Sequence, residues 1–292
     1  MSAEHAGRGA DVVFTAYDGH TITGTLFTGS GNGPLVLISS AAAVPRGYYS
    51  RFARHLVDMR GFRAVLTYDY RGVGGSQDKA FSPRRLRMRD WALKDMPAAL
   101  DFLSAQHPGH PVVGIGQSFG GQALGLSGRA ADFLRYLMIA PMSGYWRGTD
   151  EPWKVLLSMN LIGVPASHLI GRTPRGIGLA ESLPAGVFIE WARWCRLPGY
   201  FFDDPTLSAR DTFSAVTTPI LAIGMSDDPW ATERAQHGLM KHYVNAPVTR
   251  RWITPEDAGA PVGHIGFFRS RFAETLWPVA TEWLACQEKI NA

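Results

Sequence analysis

Only two cysteines, Cys195 and Cys286, occur in the 292 residues of the chain. They lie far apart and form neither a C-x-x-C pair nor a His-spaced ligand pattern, which excludes a disulfide framework and a zinc site and leaves buried thiols in a reducing compartment as the expectation. Also missing is any run of the roughly 18–20 uninterrupted apolar residues that a membrane span requires. The greasiest stretch, Val155 to Ile170, is broken by Ser158, Asn160, Gly163, Pro165 and His168 and reads as a helix of an insertion. Met1 to Gly9 has no apolar core of a secretory leader, so a cytoplasmic location is expected. There is no H-E-x-x-H, and His237 and His242, five apart, do not share a helix face, so neither metal nor cofactor is expected. Charge of one sign does not dominate either: 29 basic residues face 25 acidic ones, and a net +4 steers anionic ligands weakly without a nucleic-acid footprint. The densest basic stretch, Arg84-Arg85-Leu86-Arg87-Met88-Arg89, has no interleaved aromatics and reads as a solvated loop, with an anion or partner contact as the alternative.

What is abundant is apolar content, 46% of the chain, enough for one α/β domain carrying an insertion. Thr21 to Phe27 alternates like a hairpin strand. Leu35 to Ile38, Ala64 to Tyr68, Val112 to Ile115, Leu134 to Ile139, Ile220 to Ile223 and Val248 to Ile253 complete a strand series, the continuous apolar runs among them marking strands buried on both faces. Helices are expected over Tyr48 to Met59, Asp90 to Ala105, Gln122 to Ala131, Thr232 to Tyr243 and Arg271 to Lys289. Alternating strands and helices imply an α/β fold with a mostly parallel, doubly wound sheet of about eight strands. From Pro141 to Thr217 the alternation fails without an internal repeat. That segment, rich in tryptophan, glycine, proline and arginine, reads as a helical cap over residues 143–217, inserted after the sixth strand into a core formed by 1–142 and 218–292. Most of its aromatics, Phe188, Trp194 and Tyr200 among them, are expected to pack into the cap's own small core, with Tyr145, Trp146 and Trp191 as candidates for a substrate pocket.

Gly116-Gln117-Ser118-Phe119-Gly120 follows an apolar strand and precedes a helical segment, the setting in which G-x-S-x-G denotes a nucleophile. Its glycines let the backbone close around a strained serine, and the Phe119 amide, at a helix N-terminus, can stabilise an oxyanion. A serine hydroxyl needs a base and an orienting acid. The strand Ile220 to Ile223 leads into Gly224-Met225-Ser226-Asp227-Asp228-Pro229, which offers two carboxylates, and the loop Gly263-His264-Ile265-Gly266 offers the histidine. Glu256 and Asp257 are outside candidates for the acid.

Ser118, an aspartate of the 227–228 pair and His264 occur in the chain order of the α/β-hydrolase superfamily, which the sequence resembles over essentially its whole length. Asp69-Tyr70-Arg71-Gly72-Val73-Gly74-Gly75-Ser76 is similar to the D-x-R-G-x-G-x-S turn of that superfamily. Gly144-Tyr145-Trp146-Arg147, Trp191 to Arg196 and Gly263 to Arg269 resemble a narrower bacterial group of predicted serine hydrolases, esterase-like. The resemblance selects Asp227, third after the strand-end Gly224, as the acid. By register with the superfamily it implies the Ala41 amide as second oxyanion donor, with Ala42 behind it, although Ser39-Ser40-Ala41-Ala42-Ala43 replaces the usual His-Gly. Gln117 stands where many relatives carry histidine; it is expected to fill space beside the elbow, with hydrogen bonding around the elbow as the alternative, and it is also a candidate for the substrate-binding wall.

The implied reaction is cleavage of an ester or thioester of a hydrophobic small molecule through an acyl-enzyme on Ser118. Acyl transfer through the same residues and a non-catalytic ligand-binding role are the alternatives. Leu156, Leu157, Met159, Leu161 and Ile162 suggest an apolar substrate group, and Arg172 and Arg175 an anionic end. No nucleic-acid partner or membrane span is expected, and a homo-oligomer is compatible with the sequence.

Overall fold

A computed structural model describes residues 9–174 and 179–285 of the chain. Eight strands, β1 (Ala10–Thr15), β2 (Thr21–Thr28), β3 (Leu35–Ser39), β4 (Ala64–Tyr68), β5 (Val112–Gln117), β6 (Phe133–Ile139), β7 (Ile220–Met225) and β8 (Val248–Ile253), form one sheet. Its order is β1-β2-β4-β3-β5-β6-β7-β8. The β1–β2 and β2–β4 pairs are antiparallel and every later pair is parallel. Strand β1, absent from the expected series, has only Phe14 buried among six residues, so a half-exposed edge strand left no apolar run to read.

The period-two geometry of a strand sends successive side chains to opposite faces. Leu35, Leu37, Tyr136 and Met138 accordingly join one buried cluster, while Val36, Ile38, Leu137 and Ile139 join another. Each cluster is closed by helices. On the first face lie Met96–Gln106 and Phe119–Ser127, and on the second Ser50–Met59, which buries Phe52, Ala53, Leu56 and Val57, and Trp277–Ala285. The helix expected from Gln122 starts three residues earlier, directly after Ser118, and ends at Gly128 in the left-handed conformation (φ 67°). The last helix begins at Trp277 rather than Arg271, because Ser270–Phe272 forms a 3₁₀ turn; Cys286 and the expected extension to Lys289 lie outside the described residues.

Between β6 and β7 the chain makes an irregular helical excursion. A helical run crosses 152–170 through Pro152–Leu157, a π-helical stretch Ser158–Gly163 and Val164–Ile170, and a second helix spans Ala185–Arg196. Trp194, Tyr200, Phe201 and Phe202 pack with Phe213 into one aromatic cluster. Asp204 ties that cluster to the sheet side: it accepts from Trp194 Nε1 at 2.8 Å and pairs with Arg89 at 2.8 Å and with Arg193. Arg89 also pairs with Glu190 at 2.7 Å, so this end of the basic stretch is a strut rather than the solvated loop expected. Cys195 is buried beside these rings, and burial pushes its thiol well above the ordinary range.

The Asp69–Ser76 turn serves the scaffold. Asp69 accepts from the Arg46 amide (2.7 Å) and the Gly75 amide (2.9 Å), and a Cβ on Gly74 would stand 2.4 Å from its carboxylate. Arg71 is buried between Asp95 (2.6 Å) and Asp18 (2.7 Å). Burial pushes the Asp95 carboxyl up to about 7 against the opposing pull of Arg71.

Candidate active site

Strand β5 delivers Ser118 to the top of the sheet in a conformation that L-residues rarely adopt, φ 51° and ψ −109°. The turn is held by the Ser118 amide donating to Ile139 O at 2.8 Å and by Ser118 O accepting from the Gly121 amide at 3.0 Å. Two glycines are demanded by closeness: a Cβ at 116 would lie 2.2 Å from Gly120 O, and one at 120 would lie 2.1 Å from Ser39 O. Both contacts are with backbone, which cannot swing aside.

From the ends of β7 and β8 come the other two groups. His264 Nε2 is 3.0 Å from Ser118 Oγ, and His264 Nδ1 is 2.7 Å from Asp228 Oδ2. The carboxylate beside the imidazole is therefore that of Asp228, not Asp227, and this corrects the residue the resemblance selects. The reason lies in the strand end. Gly224 is still inside β7, with Trp252 packed where its Cβ would be, and the strand runs on to Met225. Counting three residues from the true end reaches Asp228. Its side chain is fully buried, and its Oδ1 accepts from the Trp230 and Ala231 amides at 2.8 and 3.0 Å, which hold the carboxylate in one orientation.

Asp227 has a different task. It accepts from the Val262 amide at 2.8 Å and from the Gly263 amide at 3.0 Å, clamping the loop just before His264. Asp257 caps its own short helix with Thr254, and neither it nor Glu256 reaches the imidazole.

The amide expected as second oxyanion donor, that of Ala41, is engaged within the protein. The Ala41 amide donates to Tyr49 Oη at 2.9 Å and is not free for a ligand. Among the described residues the amides of Phe119 and Ala42 have no protein acceptor, and both residues line the cavity over Ser118. Ala43, a non-glycine with φ 60°, turns this loop. Gln117 takes the hydrogen-bonding alternative and does not line the cavity. It is fully buried, its Oε1 accepts from Tyr49 Oη at 2.7 Å, and its Nε2 donates to His264 O at 3.0 Å. The strand residue before the serine thus links the Ala41 loop, through Tyr49, to the histidine loop. Tyr48 adds a second tie by donating to Ile265 O.

A cavity of about 240 Å³ opens over the hydroxyl. Its walls include Ala42, Met88, Met142, Trp191, Trp230 and Ile265, and its polar side chains are Ser118, Gln122 and His264. No charged side chain lines it among the described residues. Ala42 and Trp191 sit where a pocket wall was expected. Tyr145 and Trp146 do not; Trp146 packs at a tilt against Trp153, ring centroids 4.9 Å apart, and does not line the cavity. Nor do Leu156, Leu157, Met159, Leu161 or Ile162 line it, and Arg172 donates to Gly72 O and Ser182 O; Arg175 lies outside the described residues. Trp230 and Ile265 were legible in principle, since they follow the expected site residues Asp227 and His264 by three positions and by one. No group of three His, Cys, Asp or Glu side chains is placed to hold a metal among the described residues, and no helix there is long and apolar enough to cross a membrane.

A family model described as the alpha/beta hydrolase family matches residues 35–275. No curated protein matches the chain. Among solved structures, the Pyrococcus furiosus esterase Pf2001 aligns with a TM-score of 0.63 at 15% identity, over 95% of this chain and 90% of that one. The alpha/beta hydrolase GrgF from Penicillium sp. sh18 gives 0.61 at 18%, over 95% and 98%. Est1E from Butyrivibrio proteoclasticus, solved with ferulic acid bound, gives 0.59 at 16%, over 94% and 96%. At such identities the likeness is one of fold.

Proposed function

The chain belongs to the alpha/beta hydrolase family, and on that footing we propose that it is a serine hydrolase that cleaves esters or thioesters of small, uncharged, apolar acyl groups. The observation that carries this reading is the unbroken line of hydrogen bonds from Asp228 Oδ2 through His264 to Ser118 Oγ, at 2.7 and 3.0 Å, on the floor of an apolar cavity. Asp228 accepts from Nδ1–H and so leaves Nε2 with the lone pair that takes the serine proton. The alkoxide adds to the acyl carbonyl, and the Phe119 and Ala42 amides receive the oxyanion; one such donor is commonly worth about 3 kcal/mol of barrier. His264 then protonates the leaving alcohol or thiol. Water, deprotonated by the same nitrogen, releases the acid from Ser118.

The substrate class follows from the lining. A cavity of about 240 Å³ is below the roughly 300–1,000 Å³ of sites for drug-sized ligands. Among the described residues its walls offer no charged side chain to a buried carboxylate or ammonium, and an unpaired charge there costs several kcal/mol. Residues 143–217 act as the cap that closes it, through Leu179, Ala180 and Trp191, over a core of 1–142 and 218–292. The test is labelling by a serine-directed fluorophosphonate together with hydrolysis of p-nitrophenyl acetate, butyrate and succinate. Labelling that disappears in Ser118→Ala, with the neutral esters preferred over the succinate, is the expected result. An unlabelled wild-type protein, or preference for the succinate, defeats the reading.

A further inference from the structure

The helical run 152–170 is turned opposite to ordinary amphipathic practice. It buries Val155, Met159, Gly163 and Ser167 against the rest of the protein, and Gly163 lies so close to Phe188 that a Cβ would stand 2.5 Å from the ring. Six of its larger apolar side chains face solvent instead. Trp153, Leu157, Leu161, Ile162, Leu169 and Ile170 are between 49 and 81% exposed. Trp153, Leu157, Leu161 and Leu169 fall on one stripe at four-residue multiples, so the patch is contiguous, and patches of this kind mark an interaction surface.

Charge identifies the partner. No aspartate or glutamate occurs from Pro152 to Pro174. Arg84 reaches over the end of the run, donating to His168 O at 2.9 Å and to Leu169 O at 3.2 Å, and Arg196 donates to Asn160 at its middle. Arg85 and Arg87 stand exposed beside Arg84. Among the described residues none of these four arginines has a carboxylate partner. A second copy seated through a two-fold axis would set this face on itself, bringing these arginines onto like charge, while the exposed acids at the start of the run, Asp150 and Glu151, lie outside it and Glu151 is already paired with Lys154. An anionic lipid surface supplies both missing complements: acyl chains for the leucines and Trp153, and phosphate-level negative charge for the arginines.

From this we infer that the outer face of helix run 152–170, with Arg84, Arg85 and Arg196 at its edges, docks on the surface of an anionic phospholipid bilayer. The helix packed behind it, Ala185–Arg196, carries Trp191 in the cavity wall, so docking orients the cap side of the catalytic cavity toward lipid. Lying on a surface needs no spanning helix.

The experiment is cosedimentation of the full chain with vesicles of phosphatidylcholine alone and of an equimolar mixture with phosphatidylglycerol. Binding to the mixed vesicles at least about tenfold tighter than to the neutral ones, and weakened by high salt, is expected. Leu161→Asp/Leu169→Asp should abolish binding to both, and Arg85→Glu/Arg196→Glu should remove the preference for the anionic mixture. Hydrolysis of a water-soluble ester and the thermal midpoint serve as folding controls and should stay at wild-type values in both variants. Absence of binding to the mixed vesicles, or equal binding to the two compositions, overturns the inference. So does a dimer in analytical ultracentrifugation that the double leucine variant dissociates, which would make a second copy the occupant. Because vesicle binding is read without turnover, an inactive protein would sink the proposed hydrolysis and leave this inference standing.

Discussion

The elbow at β5 and the helical excursion between β6 and β7 face each other across one cavity, yet they are built by different means. At the elbow the constraint is backbone against backbone: Gly116 against Gly120 O, Gly120 against Ser39 O, and a serine at φ 51° held by three main-chain hydrogen bonds. In the excursion side chains set the constraint: Phe188 packed on the backbone of Gly163, Trp194 on Asp204, and Arg89 bridging Glu190 and Asp204. A backbone constraint admits very few residue types and leaves a short motif. A packing constraint is met by many combinations drawn from distant parts of the chain, and leaves almost none.

The sharpest way to break the contrast is at the site itself. Asp228→Asn should lower kcat about 10³–10⁴-fold on a soluble ester, since an amide facing Nδ1 favours the wrong imidazole tautomer. Asp227→Asn, one residue away, should stay within about tenfold and reveal itself in a lower thermal midpoint, because it removes a clamp on the Val262 and Gly263 amides. Equal losses in the two variants would show that the neighbouring carboxylates are not divided in this way.

Two added methyl groups probe the same contrast in stability. Gly120→Ala should cost roughly 3 kcal/mol or more, because Ser39 O is main chain and cannot yield. Gly163→Ala meets only the edge of the Phe188 ring, and with the helix-favouring effect of alanine its net cost should be under about 1 kcal/mol. Denaturant midpoints of the two variants measure the difference, and a larger loss at 163 would reverse the assignment of stiffness.

Smaller still is Tyr49→Phe, which leaves the Ala41 amide and Gln117 Oε1 unpaired in a buried site. A drop in kcat of about tenfold at unchanged KM is expected, from a loosened oxyanion loop and histidine loop. A KM effect alone would place the tyrosine in binding rather than in positioning.

The mildest test is acid. Burial alone would raise the Asp204 carboxyl, but hydrogen bonds from Trp194 and Thr206 and the charge of Arg89 hold it well below the usual carboxylate range. A depressed native value means the unfolded chain takes up the proton first, so this contribution is complete above the unfolded value of about 3.9 and is lost as pH falls toward the native one. Thermal midpoints should fall on acidification below about pH 4, and Asp204→Asn should flatten that slope. An unchanged slope would remove Asp204 from the acid response.

Legibility along the chain follows the same division. The apolar runs of β3 to β7 named the parallel sheet, because strands buried on both faces tolerate little else. Strand β1 escaped because a single buried Phe14 makes no pattern. Ser118 and His264 were readable from their turns. The carboxylate that meets the imidazole and the amide left free beside the serine each lie one residue beyond the position expected, since β7 continues through Gly224 to Met225 and Tyr49 takes up the Ala41 amide. Neither Trp252 packing on Gly224 nor the reach of Tyr49 has a local signature. Hydrogen bonding by Gln117 ranked only second to space filling for a related reason: its partners, Tyr49 and His264, are remote in sequence.

By itself, then, the sequence determined the α/β architecture, the strained serine and the order of the groups that serve it, because hydrophobic periodicity and turn sterics act between neighbours. Only the tertiary structure decided which of two adjacent aspartates meets the imidazole, which of two adjacent alanines offers its amide, and which face of helix run 152–170 looks outward. Those choices rest on contacts between segments far apart in the chain, where a shift of one residue turns a side chain or an amide to another side.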